Sequence, residues 1–187
     1  MLKFIDSHLN EEYLTKYGKY SNVFIETGTY RGDSIWLALE HKQFEAIYSC
    51  EIFAPLYYEA TQLFKDQPKV HLSSLDSPDF IVELFKDGHL DPTDRATIWL
   101  DAHASGPLGG GKSGGSPVVD ELKAILEYSK RKDHTILIDD RRLFGSEEWS
   151  FVKEEDAIAL LKEINPDYVI EYLDGVIEKD IICAYII

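Results

Sequence analysis

Six acidic residues stand where chemistry could be done. Glu26, Glu51, Asp101 and the pair Asp139-Asp140 each close a short apolar run, and Asp76 follows another such run at a few residues' distance. Carboxylates gathered on one rim repel one another, so a cation or hydrogen-bond donors should share the site with them. A single acid in such a place is often only the cap of the next helix. That explanation serves one or two positions well and five strand ends poorly. His103, two residues past Asp101, is a candidate general base or extra ligand, with a plain solvent-exposed histidine as the alternative.

The run from Glu26 to Ser34 reads ETGTYRGDS. Gly28 permits a tight turn, and Gly32 allows a ligand or the following helix to come close. This is not the G-x-G-x-x-G spacing of dinucleotide sites, so a nicotinamide or flavin cofactor loses support. Glu51, closing the next apolar run, is placed where an acid can bind both hydroxyls of an adenosine ribose.

These residues need elements to position them, and the pattern supplies a series. Near-continuous apolar runs at Asn22–Glu26, Ala46–Glu51, Lys69–Ser73, Ala96–Asp101 and His134–Asp139 read as strands buried on both faces. Helical patterns lie between them at Ser34–His41, Pro55–Lys65, Pro78–Asp87 and Pro117–Lys130, and a further one spans Lys153–Ile164. Strands alternating with helices imply right-handed crossovers. The last two runs, Tyr168–Leu173 and Asp180–Ile187, have no helix between them and read as a hairpin-like antiparallel pair. The expected fold is therefore α/β: a doubly wound, Rossmann-like sheet of seven strands, the last antiparallel, with helices on both faces. Residues 1–20 are expected to form one helix with Leu2, Ile5, Leu9 and Tyr13 on a stripe, and the Gly-rich stretch 105–116 to form a lid.

At this point the sequence resembles a family. VFIETGTYRGDS followed by YSCEIFAPLYYEA is similar to the first two motifs of class I S-adenosylmethionine-dependent methyltransferases. The match is nearer to the metal-dependent O-methyltransferases of the catechol and macrolide-sugar type. It runs from Asn22 to about Gly145, and the tail agrees in pattern only. The resemblance implies S-adenosylmethionine as cofactor. In that reading the segment opening at Glu26 is part of the cofactor site. Gly28 and Gly32 form the turn around the methionine moiety, and Ser34 touches its carboxylate end. Glu51 holds the ribose, and Asp76 and Ser77 flank the adenine. It also implies a Mg²⁺-type ion on Asp101, Asp139 and Asp140, whose oxygens suit such an ion. The ion would lower the pKa of a substrate hydroxyl and hold it in line with the methyl group. Where the catechol enzymes carry a catalytic lysine, this chain has Ala104. That leaves His103 or Lys112 as the base, or an altered site that binds without methylating. Arg141, Arg142, Phe144 and Trp149 are candidate lid contacts to the substrate.

A competing motif is present. Gly106–Ser113 satisfies the phosphate-binding pattern G-x-x-x-x-G-K-S letter for letter and would make the protein a nucleotide triphosphatase or kinase. Its context is wrong, because a P-loop helix begins at the Lys-Ser, whereas here the helix start is expected near Pro117.

Composition bounds the partners. The chain has 187 residues, 34 Asp plus Glu against 19 Lys plus Arg, and a formal net charge of −15. Such a surface repels phosphate backbones and anionic membranes, which argues against nucleic acid and membrane partners, while the resemblance implies a small substrate offering a hydroxyl acceptor. With 44% hydrophobic residues it can build the core of a single domain, 1–187. Cys50 and Cys183 lie in apolar runs without metal spacing, as buried free thiols of a cytoplasmic protein do. The sequence leaves the oligomeric state open, a homodimer included.

Overall fold

The computed structural model describes residues 8–86, 88–103 and 114–187. Seven strands form one sheet: β1 (Val23–Thr27), β2 (Ala46–Cys50), β3 (Val70–Ser73), β4 (Ala96–Leu100), β5 (Thr135–Ile138), β6 (Val169–Leu173) and β7 (Ile181–Tyr185). Their order across the sheet is β3-β2-β1-β4-β5-β7-β6. Pairings among β1 to β5 are parallel, and β7 runs antiparallel to both β5 and β6. The expected antiparallel last strand is therefore present, inserted between β5 and β6 rather than added at an edge.

The helices are α1 (Glu11–Tyr17), α2 (Asp33–Glu40), α3 (Ala54–Leu63), α4 (Ser77–Lys86), α5 (Val118–Tyr128) and α6 (Glu154–Ile164). Period-two alternation along the strands sorts them onto two faces. Ile25, Ile98, Ile136 and Ile182 point into a core with Ile81 of α4, Leu122 of α5 and Leu161 of α6. Phe24, Trp99, Leu137 and Cys183 point the other way, against Leu14 of α1, Ile35 of α2 and Ala60 of α3. Two-sided burial explains why the strand sequences are almost continuously apolar.

One expectation is corrected here, and another is met. Leu9 and Tyr13 do not share a helical stripe starting near residue 1. Helix α1 begins only at Glu11, because the Asn10 side chain accepts the Tyr13 N–H at 3.0 Å and caps it, leaving Leu9 outside the helix and buried. Leu2 and Ile5 lie outside the described residues. At the Gly-rich stretch, Gly114–Pro117 are not helical and α5 starts at Val118. No helix therefore opens behind the Lys-Ser of the phosphate-loop pattern, and that reading loses its structural basis. Ala104, Lys112 and the rest of Gly106–Ser113 lie outside the described residues.

Candidate active site

The sheet changes winding direction between β1 and β4, and ligands of open α/β sheets bind beyond the carboxyl ends of the strands at such a point. A cavity of about 470 Å³ opens there. One end is lined by Gly28, Glu51, Asp76 and Ser77, the other by Asp101, His103, Asp139 and Asp140. Volume and lining suit a small-molecule site.

At the first end, the turn after β1 is fixed by its backbone. Gly28 and Thr29 both donate N–H to the Cys50 carbonyl at 3.0 Å, and Gly28 has φ of 84°. A Cβ there would stand 2.7 Å from the Asp101 carbonyl oxygen, so this position tolerates glycine alone. Glu51 is held by two backbone donors, Tyr30 N–H to Oε2 at 2.9 Å and Phe53 N–H to Oε1 at 2.8 Å. Each carboxylate oxygen keeps a further lone pair that a hydroxyl can use. Asp76 accepts the Ser77 N–H at 3.1 Å, where α4 begins.

Glu26, Gly32 and Ser34 sit beneath the cavity and do not line it. Glu26 is buried and accepts the Ser49 hydroxyl at 2.6 Å. Burial pushes its carboxyl up to about 8 against hydrogen bonds from Ser49 and Ser34. Gly32, with φ of 78°, packs under Phe64: a Cβ would meet that ring at 2.5 Å. These three residues support the turn from below. Glu121 of α5 plays a similar buried part, unsuspected in the sequence. Burial raises it to about 7, opposed by the hydroxyls of Ser77 and Thr27. Burial also holds the Cys50 thiol well above its usual range, so it is no nucleophile at neutral pH.

The second end gathers the strand-end acids as expected. Asp101 is pushed well up by burial and then by the charges of Asp139, Asp140 and Glu26, with the Trp99 Nε1–H donating to its Oδ2 at 3.3 Å. Asp139 is likewise raised, first by burial and then by Asp140, against a hydrogen bond from His8. Asp140 occupies the left-handed region at φ 56°, its N–H bonded to Asp139 Oδ1 at 2.8 Å. Burial pushes Asp140 up, but His103 first, then Arg142 and His8, outweigh it and hold its carboxyl below the ordinary range. His103 Nε2 lies 2.8 Å from Asp140 Oδ2, and Arg142 lies 2.6 Å from Asp140 Oδ1.

Two further residues, His8 and Asp180, complete this end. His8 Nδ1 stands 2.8 Å from Asp139 Oδ2. The fully buried Asp180 holds Arg142 through both its backbone N–H and its guanidinium. Arg141, by contrast, turns away to Glu154 at 3.0 Å and stacks on Tyr172. Trp149 is buried edge-on against Phe144 and serves packing. Of the expected lid contacts Arg142 faces the cavity, as does Leu143, which the sequence did not single out.

The donor chemistry fits a divalent cation. Two groups, His8-Asp139-Asp140 and Asp101-His103-Asp140, each bring three ligand atoms within 4.8 Å of one another. Burial has raised two of the three carboxyls, and a cation would supply the charge that favours their ionised form.

A seven-stranded sheet with β7 reversed, site at the carboxyl rim, is the Rossmann-like fold of class I methyltransferases. No family model matches the chain, and no curated protein matches it in sequence. Solved structures match in fold. Human methyltransferase-like protein 13 in complex with SAH agrees with TM-score 0.59 at 18% identity, over 96% of this chain and 78% of that one. SMU.1697c, a proposed methyltransferase of Streptococcus mutans in complex with SAH, gives TM-score 0.59 at 12% identity over 92% of each chain. A proposed rRNA methylase of Clostridium thermocellum gives 0.62 at 12% identity over 94% of each.

Proposed function

We propose that the protein is an S-adenosylmethionine-dependent methyltransferase that methylates a hydroxyl of a small substrate with the help of a divalent metal ion. The observation that carries this reading is one cavity lined by Gly28, Glu51 and Asp76 and also by the carboxylate-histidine group Asp101, His103, Asp139 and Asp140. When bound, the cofactor supplies an electrophilic methyl group and the ion acidifies the acceptor hydroxyl.

The chain's own residues do the rest. Glu51 accepts the ribose hydroxyls, and the turn at Gly28 lets the cofactor lie against backbone. Asp101, Asp139 and Asp140 hold the ion. With Nε2 of His103 donating to Asp140, its Nδ1 is the basic nitrogen and takes the hydroxyl proton. Asp140 orients that imidazole and stabilises the imidazolium that results. Arg142, pinned by Asp180, keeps Asp140 in place. The net charge of −15 favours a small acceptor over nucleic acid, so the RNA named for one structural neighbour is not carried over.

Calorimetry with S-adenosylhomocysteine tests the cofactor half. Wild-type protein should bind in the micromolar range. Glu51→Ala should weaken binding by roughly 10- to 100-fold, the loss of hydrogen bonds to a charged group. Absence of binding at high micromolar concentration overturns the reading. Binding without turnover on any hydroxylated acceptor would make the protein a binding module instead.

A further inference from the structure

Among the polar residues that line the cavity, His8 has no part in the cofactor turn or the strand-end acids. His8 belongs to none of the sheet's elements, yet its Nδ1 lies 2.8 Å from Asp139 Oδ2, 131 positions away in the chain. It is held there for structural reasons. Leu9, its neighbour, is buried in the core with Leu14, Tyr17 and Leu137, and Asn10 caps α1 directly afterwards. An anchored backbone thus aims an imidazole at the carboxylate rim, with the side chain 30% exposed toward the cavity mouth.

His8, Asp139 and Asp140 present three ligand atoms mutually within 4.8 Å, and the group Asp101-His103-Asp140 shares Asp140 with them. We propose that His8 is a nitrogen ligand of the divalent ion at Asp139 and Asp140, so that the site takes a first-row transition ion such as Mn²⁺ or Co²⁺ in preference to Mg²⁺. The inference rests on the metal-assisted reading above and gives that ion its identity class. Magnesium binds to oxygen, keeps several waters and is served by carboxylates alone. Imidazole nitrogen suits the transition series, whose members bind mixed nitrogen-oxygen sites more tightly. A histidine delivered from outside the sheet adds nothing to a magnesium site. It changes a site for the transition series decisively.

The experiment uses the full chain, stripped with a chelator and titrated by calorimetry with MnCl₂, CoCl₂ and MgCl₂. Mn²⁺ and Co²⁺ should bind at least about tenfold more tightly than Mg²⁺. His8→Gln should weaken Mn²⁺ by roughly 10- to 100-fold and leave Mg²⁺ within about twofold, with an unchanged thermal melt as the control for folding. Pulsed electron paramagnetic resonance on the Mn²⁺ form gives a second readout that does not depend on affinity. In His103→Gln, ¹⁴N coupling should persist and come from His8; in the double variant with His8→Gln it should vanish. Equal affinity for Mg²⁺ and Mn²⁺, an unaffected His8→Gln, or no ¹⁴N coupling in His103→Gln overturns the proposal. These results leave the metal-assisted reading standing if Asp139→Asn still abolishes Mg²⁺ binding. No divalent binding at all removes both.

Discussion

At the scale of single residues, the buried acids make stability depend on pH in an unusual direction. Glu26 is raised to about 8 and Glu121 to about 7, both chiefly by burial. Between an unfolded carboxyl near 4.5 and these values, the folded chain keeps protons that the unfolded chain has lost. Stability contributed by the protonated forms is therefore present at low pH and is lost as pH rises through about 7 to 8. The melting temperature should fall across that window in chelator-treated protein. Glu26→Gln, which keeps a neutral acceptor for the Ser49 hydroxyl, should flatten the fall; a profile as steep as wild type would show that Glu26 is ionised when folded. Glu121, inside α5, went unsuspected in the sequence, but the strand-end acids were legible there, because a carboxylate ending an apolar strand is a local signal. Their partners were not. His8 and Asp180 are close to the rim only through folding, and neither has a spacing that announces it.

At the scale of elements, two glycines of the same turn, Gly28 and Gly32, have different work. Gly28 borders the cavity, and its missing Cβ makes room for the Asp101 carbonyl at 2.7 Å. Gly32 opens α2 and makes room for the Phe64 ring at the end of α3. Both have positive φ, so alanine at either should cost roughly 1–3 kcal/mol in chemical denaturation. Only Gly28→Ala should also remove S-adenosylhomocysteine binding at denaturant-free, fully folded conditions; Gly32→Ala should retain it within a few-fold. Equal loss in both would mean that the turn acts as one unit. The elements were the most readable level of this molecule. All seven strands and five of the helices follow from apolar runs and helical spacing, within a residue or two at their ends. The exception was the N-terminal helix, where an apolar stripe outweighed the stronger signal, the Asn10 cap.

At the scale of the whole molecule, a net charge of −15 is a self-repulsion that folding concentrates. Five of the six acids singled out in the sequence line one cavity, with Arg142 as the cation set against them there and His8 and His103 in contact with Asp139 and Asp140. Raising sodium chloride from about 10 mM to about 500 mM shortens the Debye length from roughly 30 Å to a few ångströms and should raise the melting temperature by a few degrees. A divalent ion at micromolar concentration should do the same by occupancy rather than screening, and only with Asp139 intact. A melting point indifferent to salt would show that the surface charges are already balanced locally.

The placing of β7 bears on how the chain is made. Among the described residues β6 pairs with β7 alone, and β7 pairs with β5, so the strand that comes later in the chain lies deeper in the sheet. During synthesis β6 emerges before it has any neighbour to bond, and its edge waits on the arrival of residues 181–185. The same stretch of chain brings Asp180, which fastens Arg142 and, through it, Asp140. Completion of the sheet and completion of the carboxylate rim are thus one event on the ribosome. A nascent chain stopped short of it carries every acid of the site and cannot yet hold them in order.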